Sequence, residues 1–215
     1  MKKSEVSLIV KLFVQASALF AFLMSLRLHS WFNAVSALWA FLITFLPSIF
    51  ERWNHIKLPN VFTITIILFV YASLILGEFG SFYVKFTWWD NMLHSFSGFA
   101  LAMAVFSTML WLYQNPNQLG QLSPGMLILF SFCFAVACGA VWEIIEFTMD
   151  RVFGTDMQRW QEGYMAGLVD TMTDIIMDTA GAILSSIIGY IYLKRTNLIK
   201  KMKKIKIRNI ENKHA

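Results

Sequence analysis

The sequence predicts an all-α fold, an integral membrane helical bundle with about six transmembrane helices and both termini cytoplasmic. Three observations predict it. Apolar runs near or above 18 residues recur along the 215-residue chain, which is 57% hydrophobic. Only 14% of the residues are charged, well below the roughly 25% usual in soluble domains. The third observation is an uneven spread of positive charge, since the tail from Lys194 to Ala215 holds nine of the eighteen Lys and Arg residues. With Lys2, Lys3, Arg52 and Lys57 this puts thirteen cations on the side of the termini. Four face the other way: Arg27, Lys85, Arg151 and Arg159. The positive-inside rule then orients the bundle.

The runs fall at about 7–26, 31–50, 61–77, 91–113, 126–147 and 169–193. Connections are too short for a separate soluble domain. Residues 1–193 therefore read as a single transmembrane helical domain, and 194–215 as a basic cytoplasmic tail. The first run follows Lys2 and Lys3 but lacks a cleavage box, so it reads as a retained helix rather than a signal peptide. Lys11 lies in its first turns and can snorkel to the interface. Pro59 marks the start of span three, and His55 before it reads as a solvated loop residue. Phe86 to Trp89 form an interfacial aromatic belt ahead of span four. Residues 114–125 are a turn-rich link with two prolines and two glycines. Cys133 and Cys138, five apart, point in different directions and read as packing residues. The loop from Thr148 to Gly167 is rich in aromatic and charged residues and is expected to lie over the outer surface as a lid.

The tail from Leu198 to Arg208 sets Leu198, Met202 and Ile205 among basic residues, the pattern of a helix lying on an anionic leaflet. Topology and lipid anchoring account for that charge, so the partners expected are the lipid bilayer and anionic lipids, not nucleic acid. A homo-oligomer is compatible with the pattern. No internal repeat and no glycine-rich phosphate loop stands out.

The informative residues are acidic and lie inside the apolar runs. Asp170, Asp174 and Asp178 stand one helical turn apart, so they share a helix face and extend about 12 Å along it. Glu143, Glu146 and Asp150 do the same at the outer end of span five, and Asp90 and His94 at the outer start of span four. The topology brings these eight groups to one membrane level. Asp90 and Asp170 also suit helix N-termini, where a cap would suffice to explain them. Glu143, Glu146 and Asp150 oppose the dipole of their own helix and need something positive nearby. From residue 86 to 193 there are nine acids and two Lys or Arg residues, so side chains alone fall short. A metal ion, partial protonation or plain interfacial hydration could make up the difference. Oxygen ligands with one imidazole suit Mg, Mn, Fe or Zn. The candidate ligands are Asp90, His94, Glu143, Glu146, Asp170, Asp174 and Asp178, with Arg151 and Arg159 as candidate substrate-binding cations. The Glu-x-x-His pairs of carboxylate-bridged two-metal bundles are absent.

A series of motifs carries a resemblance: Leu46-Pro47, Glu51-Arg52, Leu58-Pro59, Ala72-Ser73-Leu74, Gly77-Glu78, Tyr83, Trp88-Trp89-Asp90, Leu93-His94 and Ser97-Gly98-Phe99. It continues with Trp142-Glu143, Glu146, Asp170, Asp174, Asp178-Thr179 and Gly181-Ala182. Over residues 45–185 the chain resembles the YjdF-like family of predicted bacterial membrane proteins. The resemblance implies a multi-pass protein of the bacterial plasma membrane and implies no activity.

Three functions fit these residues. The first is a metal-dependent enzyme acting on a lipid or lipid-linked phosphate at the outer leaflet. The second is a divalent-cation or proton transporter or channel, against which stands the lack of acids in the inner half of spans four to six. The third is a non-catalytic partner protein whose polar network fixes helix packing. All rest on one expectation, that Asp90, His94, Glu143, Glu146, Asp174 and Asp178 meet around a common centre.

Overall fold

In the computed structural model, which describes residues 3–55, 58, 60–112, 123–202 and 204–205, the chain is all-helical. The helices are α1 (Lys3–Arg27), α2 (Trp31–Ile43), α3 (Leu46–Asn54), α4 (Asn60–Val70), α5 (Phe82–Lys85), α6 (Trp89–Leu112), α7 (Pro124–Phe153) and α8 (Tyr164–Arg195). A π-helical stretch, Tyr71–Phe79, extends α4, and a short 3-10 turn, Trp160–Glu162, precedes α8. Six helical stretches are long and apolar enough to cross a membrane: Glu5–Arg27, Trp31–Trp53, Asn60–Phe79, Trp89–Leu112, Pro124–Phe153 and Met165–Arg195. The last two run past the ends predicted from hydropathy. Asp150, beyond the predicted end of span five at residue 147, stays on the helix and is buried.

The described residues form two compact units, Met1–Trp89 and Asp90–Ala215. Both bury small residues and leave large apolar ones on the outside, the arrangement expected when lipid rather than water is the solvent. In the first unit Ala18 and Ala21 of α1 pack on Ala37 and Ala40 of α2, with Val70 and Ile75 closing the cluster. Leu8, Ile9, Leu12, Phe13, Leu19 and Phe20 face outward. Gln15 donates to Thr44 Oγ1 at 2.8 Å. Lys11 Nζ reaches Ser48 Oγ at 3.4 Å and lies 4.7 Å from the Phe45 ring centre, so its charge is held by local partners. Trp89 donates its indole N–H to the Ala72 carbonyl within the π-helical stretch and packs edge-on against Phe82. His55 is exposed, and Pro59 lies outside the described residues.

The second unit is built from three buried stripes. Helix α6 presents His94, Gly98, Ala102 and Phe106, each four residues from the last. Helix α7 presents Leu127, Ser131, Ala135, Gly139 and Glu143, again at four-residue spacing, then Glu146 and Asp150. Helix α8 presents Asp174, Asp178, Gly181, Ala182, Ser185, Gly189 and Leu193. The stripes are in register, so the core is layered. Phe106, Leu127 and Leu193 make a bulky floor, with Leu198 and Ile199 packed beneath it. Ala102, Ala135 and Ala182 lie above that floor. Gly98, Gly139 and Gly181 come next, and the ionisable groups occupy the far end. Met202 is buried as well, so the start of the basic tail packs onto this unit; residues 203 and 206–215 of the tail, and 113–122 of the link, lie outside the described residues.

The glycine layer sets the distance between helices. A Cβ at Gly98 would strike the Asp178 backbone carbonyl, and one at Gly181 would strike the Ser95 carbonyl and the Phe99 amide. Helices α6 and α8 thus touch backbone to backbone here, which brings His94 within reach of α8. We predict that Gly98→Ala and Gly181→Val each destabilise the protein by about 1–3 kcal/mol, seen as a lower thermal midpoint in detergent. Gly125→Ala, where a Cβ meets only Ser123 Oγ at 3.9 Å, does not lower it.

Candidate metal centre

His94 lies at the centre of the acidic group at the far end of the second unit, close to Asp90, Glu143, Asp174 and Asp178. Its Nδ1 stands 3.0 Å from Asp178 Oδ2. Its Nε2 points the other way and faces three carboxylate oxygens: Asp90 Oδ1 at 3.8 Å, Glu143 Oε1 at 4.0 Å and Asp174 Oδ2 at 4.0 Å. These separations are too long for hydrogen bonds. They fit ligands that share one ion, since two atoms each about 2.1 Å from a metal stand up to about 4.2 Å apart. Two sets of ligand atoms lie within 4.8 Å of one another, Asp90 with His94 and Asp174, and His94 with Glu143 and Glu146. This buried His, Asp and Glu group could hold a metal.

Burial sharpens the point. Glu143 is 4% exposed and Asp174 is 1% exposed. Their oxygens that face His94, Oε1 and Oδ2, accept no hydrogen bond among the described residues. A buried carboxylate oxygen without a partner is costly, and two facing one imidazole nitrogen call for a proton or a cation between them.

Asp178 is placed differently from Asp174, although one turn separates them on the same face. Ser97 Oγ donates to Asp178 Oδ1 at 2.6 Å and also stands 2.8 Å from the His94 carbonyl. Both carboxylate oxygens of Asp178 are therefore engaged within the protein. Gly139 lies directly against them, and a Cβ there would collide with Oδ2.

The rim is formed by residues 154–163, a strap folded over the ends of α7 and α8. Asp150, in the last turn of α7, accepts from Thr155 Oγ1 at 2.6 Å, from the Met157 amide at 2.8 Å and from the Gln158 amide at 3.0 Å. A carboxylate that the sequence alone left opposing its helix dipole thus clasps the loop that follows. The clasp turns Gln158 inward, where its side-chain amide donates to Glu143 Oε2, to the Glu143 carbonyl and to Thr171 Oγ1. Trp142 Nε1 donates to Glu146 Oε1 at 2.8 Å. Arg159 Nε lies 3.3 Å from Asp170 Oδ1.

The convergence expected of helices α6, α7 and α8 is present: Asp90, His94, Glu143, Glu146, Asp174 and Asp178 gather at one place. Asp170 stands at the edge, paired with Arg159. It does not cap α8, because the helix begins six residues earlier behind Gly163. Of the two candidate cations only Arg159 reaches an acid of the group; Arg151 lies over the rings of Phe147 and Trp160 at 5.2 and 5.8 Å. The expected lid is an ordered strap. Two contributors, Ser97 and Gln158, are absent from the candidate site residues, although Ser97 stands in the Ser97-Gly98-Phe99 motif. Ser97, three residues after His94, shares its helix face and could have been found that way. Gln158 reaches the site only because Asp150 folds the strap, and no spacing announces that.

A family model described as "Predicted membrane protein (DUF2238)" matches residues 8–195. An uncharacterized protein of Thermotoga maritima is 28% identical over 152 residues, covering 71% of this chain and 72% of that one. No solved structure matches.

The clasp is testable apart from any ligand. Asp150→Ala removes three hydrogen bonds at a buried carboxylate, about 1–3 kcal/mol of local stability. Amide exchange across 154–163 then quickens by roughly ten- to a hundredfold while α6 and the lower half of α7 remain protected. Unchanged exchange in the strap would contradict the assignment.

Proposed function

The chain belongs to the DUF2238 family of predicted membrane proteins, and from that premise we propose a multi-pass bacterial plasma-membrane protein whose second unit binds a divalent metal ion. The ligands are drawn from two overlapping sets that share the imidazole of His94, one with Asp90 and Asp174 and the other with Glu143 and Glu146. The observation that carries this reading is the pair of buried, unpartnered oxygens on Glu143 and Asp174, both 4.0 Å from the same imidazole nitrogen. Arg159 and Asp170 form the outer rim, and the basic tail meets the anionic inner leaflet.

When bound, the ion would supply Lewis acidity toward a phosphate carried by a lipid or lipid-linked substrate at the outer leaflet. A divalent ion held by carboxylates can polarise a phosphoryl oxygen or activate water. Arg159, already within reach of the group, can take a phosphate oxygen in place of Asp170. Conduction across this unit is the weaker reading. Below Asp178 the buried stripes carry glycine, alanine, the two serines Ser131 and Ser185, then Phe106, Leu127 and Leu193, with no charged side chain among them. Ser131, in the same stretch, donates to the Leu127 carbonyl of its own helix.

Purified full-length protein is expected to contain stoichiometric metal by elemental analysis. Glu143→Gln and Asp174→Asn are expected to lose most of it while keeping their elution profile and helix content. Metal-free but well-folded wild type, prepared under several metal supplies, would instead support a protein whose polar groups only fix helix packing.

A further inference from the structure

We infer that Asp178 is a positioning residue rather than a ligand, and that by fixing the tautomer of His94 it tunes the site for zinc, manganese or iron over magnesium. This rests on the metal-binding reading above and adds the selectivity of the site.

Imidazole has two nitrogens, and in the neutral ring one donates while the other offers a lone pair. A carboxylate only accepts, so Asp178 at 3.0 Å calls for the proton on Nδ1. The lone pair then lies on Nε2, the nitrogen that faces Asp90, Glu143 and Asp174. Asp178 cannot exchange roles with its neighbour one turn away. Ser97 holds its second oxygen, Gly139 closes the space beside it, and the residue is 1% exposed. Asp174 has no such tether on Oδ2.

The arrangement is the carboxylate–histidine–metal relay, in which an outer carboxylate orients the ring and raises the basicity of the coordinating nitrogen. A lone imidazole among oxygens distinguishes between ions. Magnesium favours oxygen and keeps its waters, zinc and iron accept nitrogen readily, and manganese, though it favours oxygen, gives up water for one imidazole more easily than magnesium does. If Asp178 were replaced by Asn, its amide N–H₂ could face Nδ1. The proton would then move to Nε2, and the nitrogen would be lost as a ligand.

The test uses the full-length protein in detergent or nanodiscs, titrated with ZnCl₂, MnCl₂ and MgCl₂. Wild type is expected to prefer zinc and manganese. Asp178→Asn is expected to weaken both by roughly 10–100-fold and to change magnesium binding by less than about threefold. Equal losses for all three ions would mark Asp178 as merely structural and overturn the inference. Because a fully buried substitution can compromise folding, the manganese-loaded wild type provides a second reading. Pulsed EPR is expected to show coupling to one imidazole nitrogen, which disappears in His94→Gln. Stoichiometric manganese without that coupling would overturn the inference and leave the metal site standing. No binding of any ion would overturn the site and the inference together.

Discussion

Carboxylates set inside an apolar helical unit constrain everything else about this protein. Each needs a hydrogen bond, a proton or a cation, because the surroundings supply no bulk water. Asp150 meets the requirement by clasping the strap, Asp170 by pairing with Arg159, and Asp178 by bonding Ser97 and His94. Glu146 takes the indole of Trp142 and Glu143 the amide of Gln158. Three buried oxygens of this group are left without a hydrogen bond among the described residues, on Glu143, Asp170 and Asp174, and those of Glu143 and Asp174 face the same imidazole.

The fold keeps that point fixed through the size of its residues. Side chains grow smaller from the floor of Phe106, Leu127 and Leu193 to the glycines beside Asp178. Close backbone approach at the glycine layer is what allows an imidazole on α6 to reach carboxylates on two other helices. Bulk at the other end holds the helices apart and apolar. Geometry at the acidic end thus follows from a gradient of side-chain volume along three stripes, each read out at four-residue spacing.

Much of this was legible before any coordinates, and the exceptions have physical causes. Hydropathy found all six spans because lipid-facing residues dominate composition, but it ended the last two short. Asp150 falls beyond the predicted end of span five at residue 147, yet it stays on the helix and is buried. Helical periodicity put Asp174 and Asp178 on one face and could not tell them apart. Their difference comes from Gly139 and Ser97, which belong to other helices. The same limit applies to Gln158, whose position depends on a loop conformation held by Asp150. Periodicity describes a face; which atom on that face finds a partner is decided by the neighbours.

On the proposed reading, His94 and two carboxylates from a neighbouring set hold one divalent ion. X-ray absorption at the zinc edge, on full-length protein loaded with one equivalent of zinc, tests it most directly. Zinc bound there is expected to show a first shell of nitrogen and oxygen at about 2.0–2.2 Å, with the outer-shell scattering of one imidazole. A shell containing sulfur, from Cys133 or Cys138, or one of oxygen alone without imidazole scattering, would contradict it.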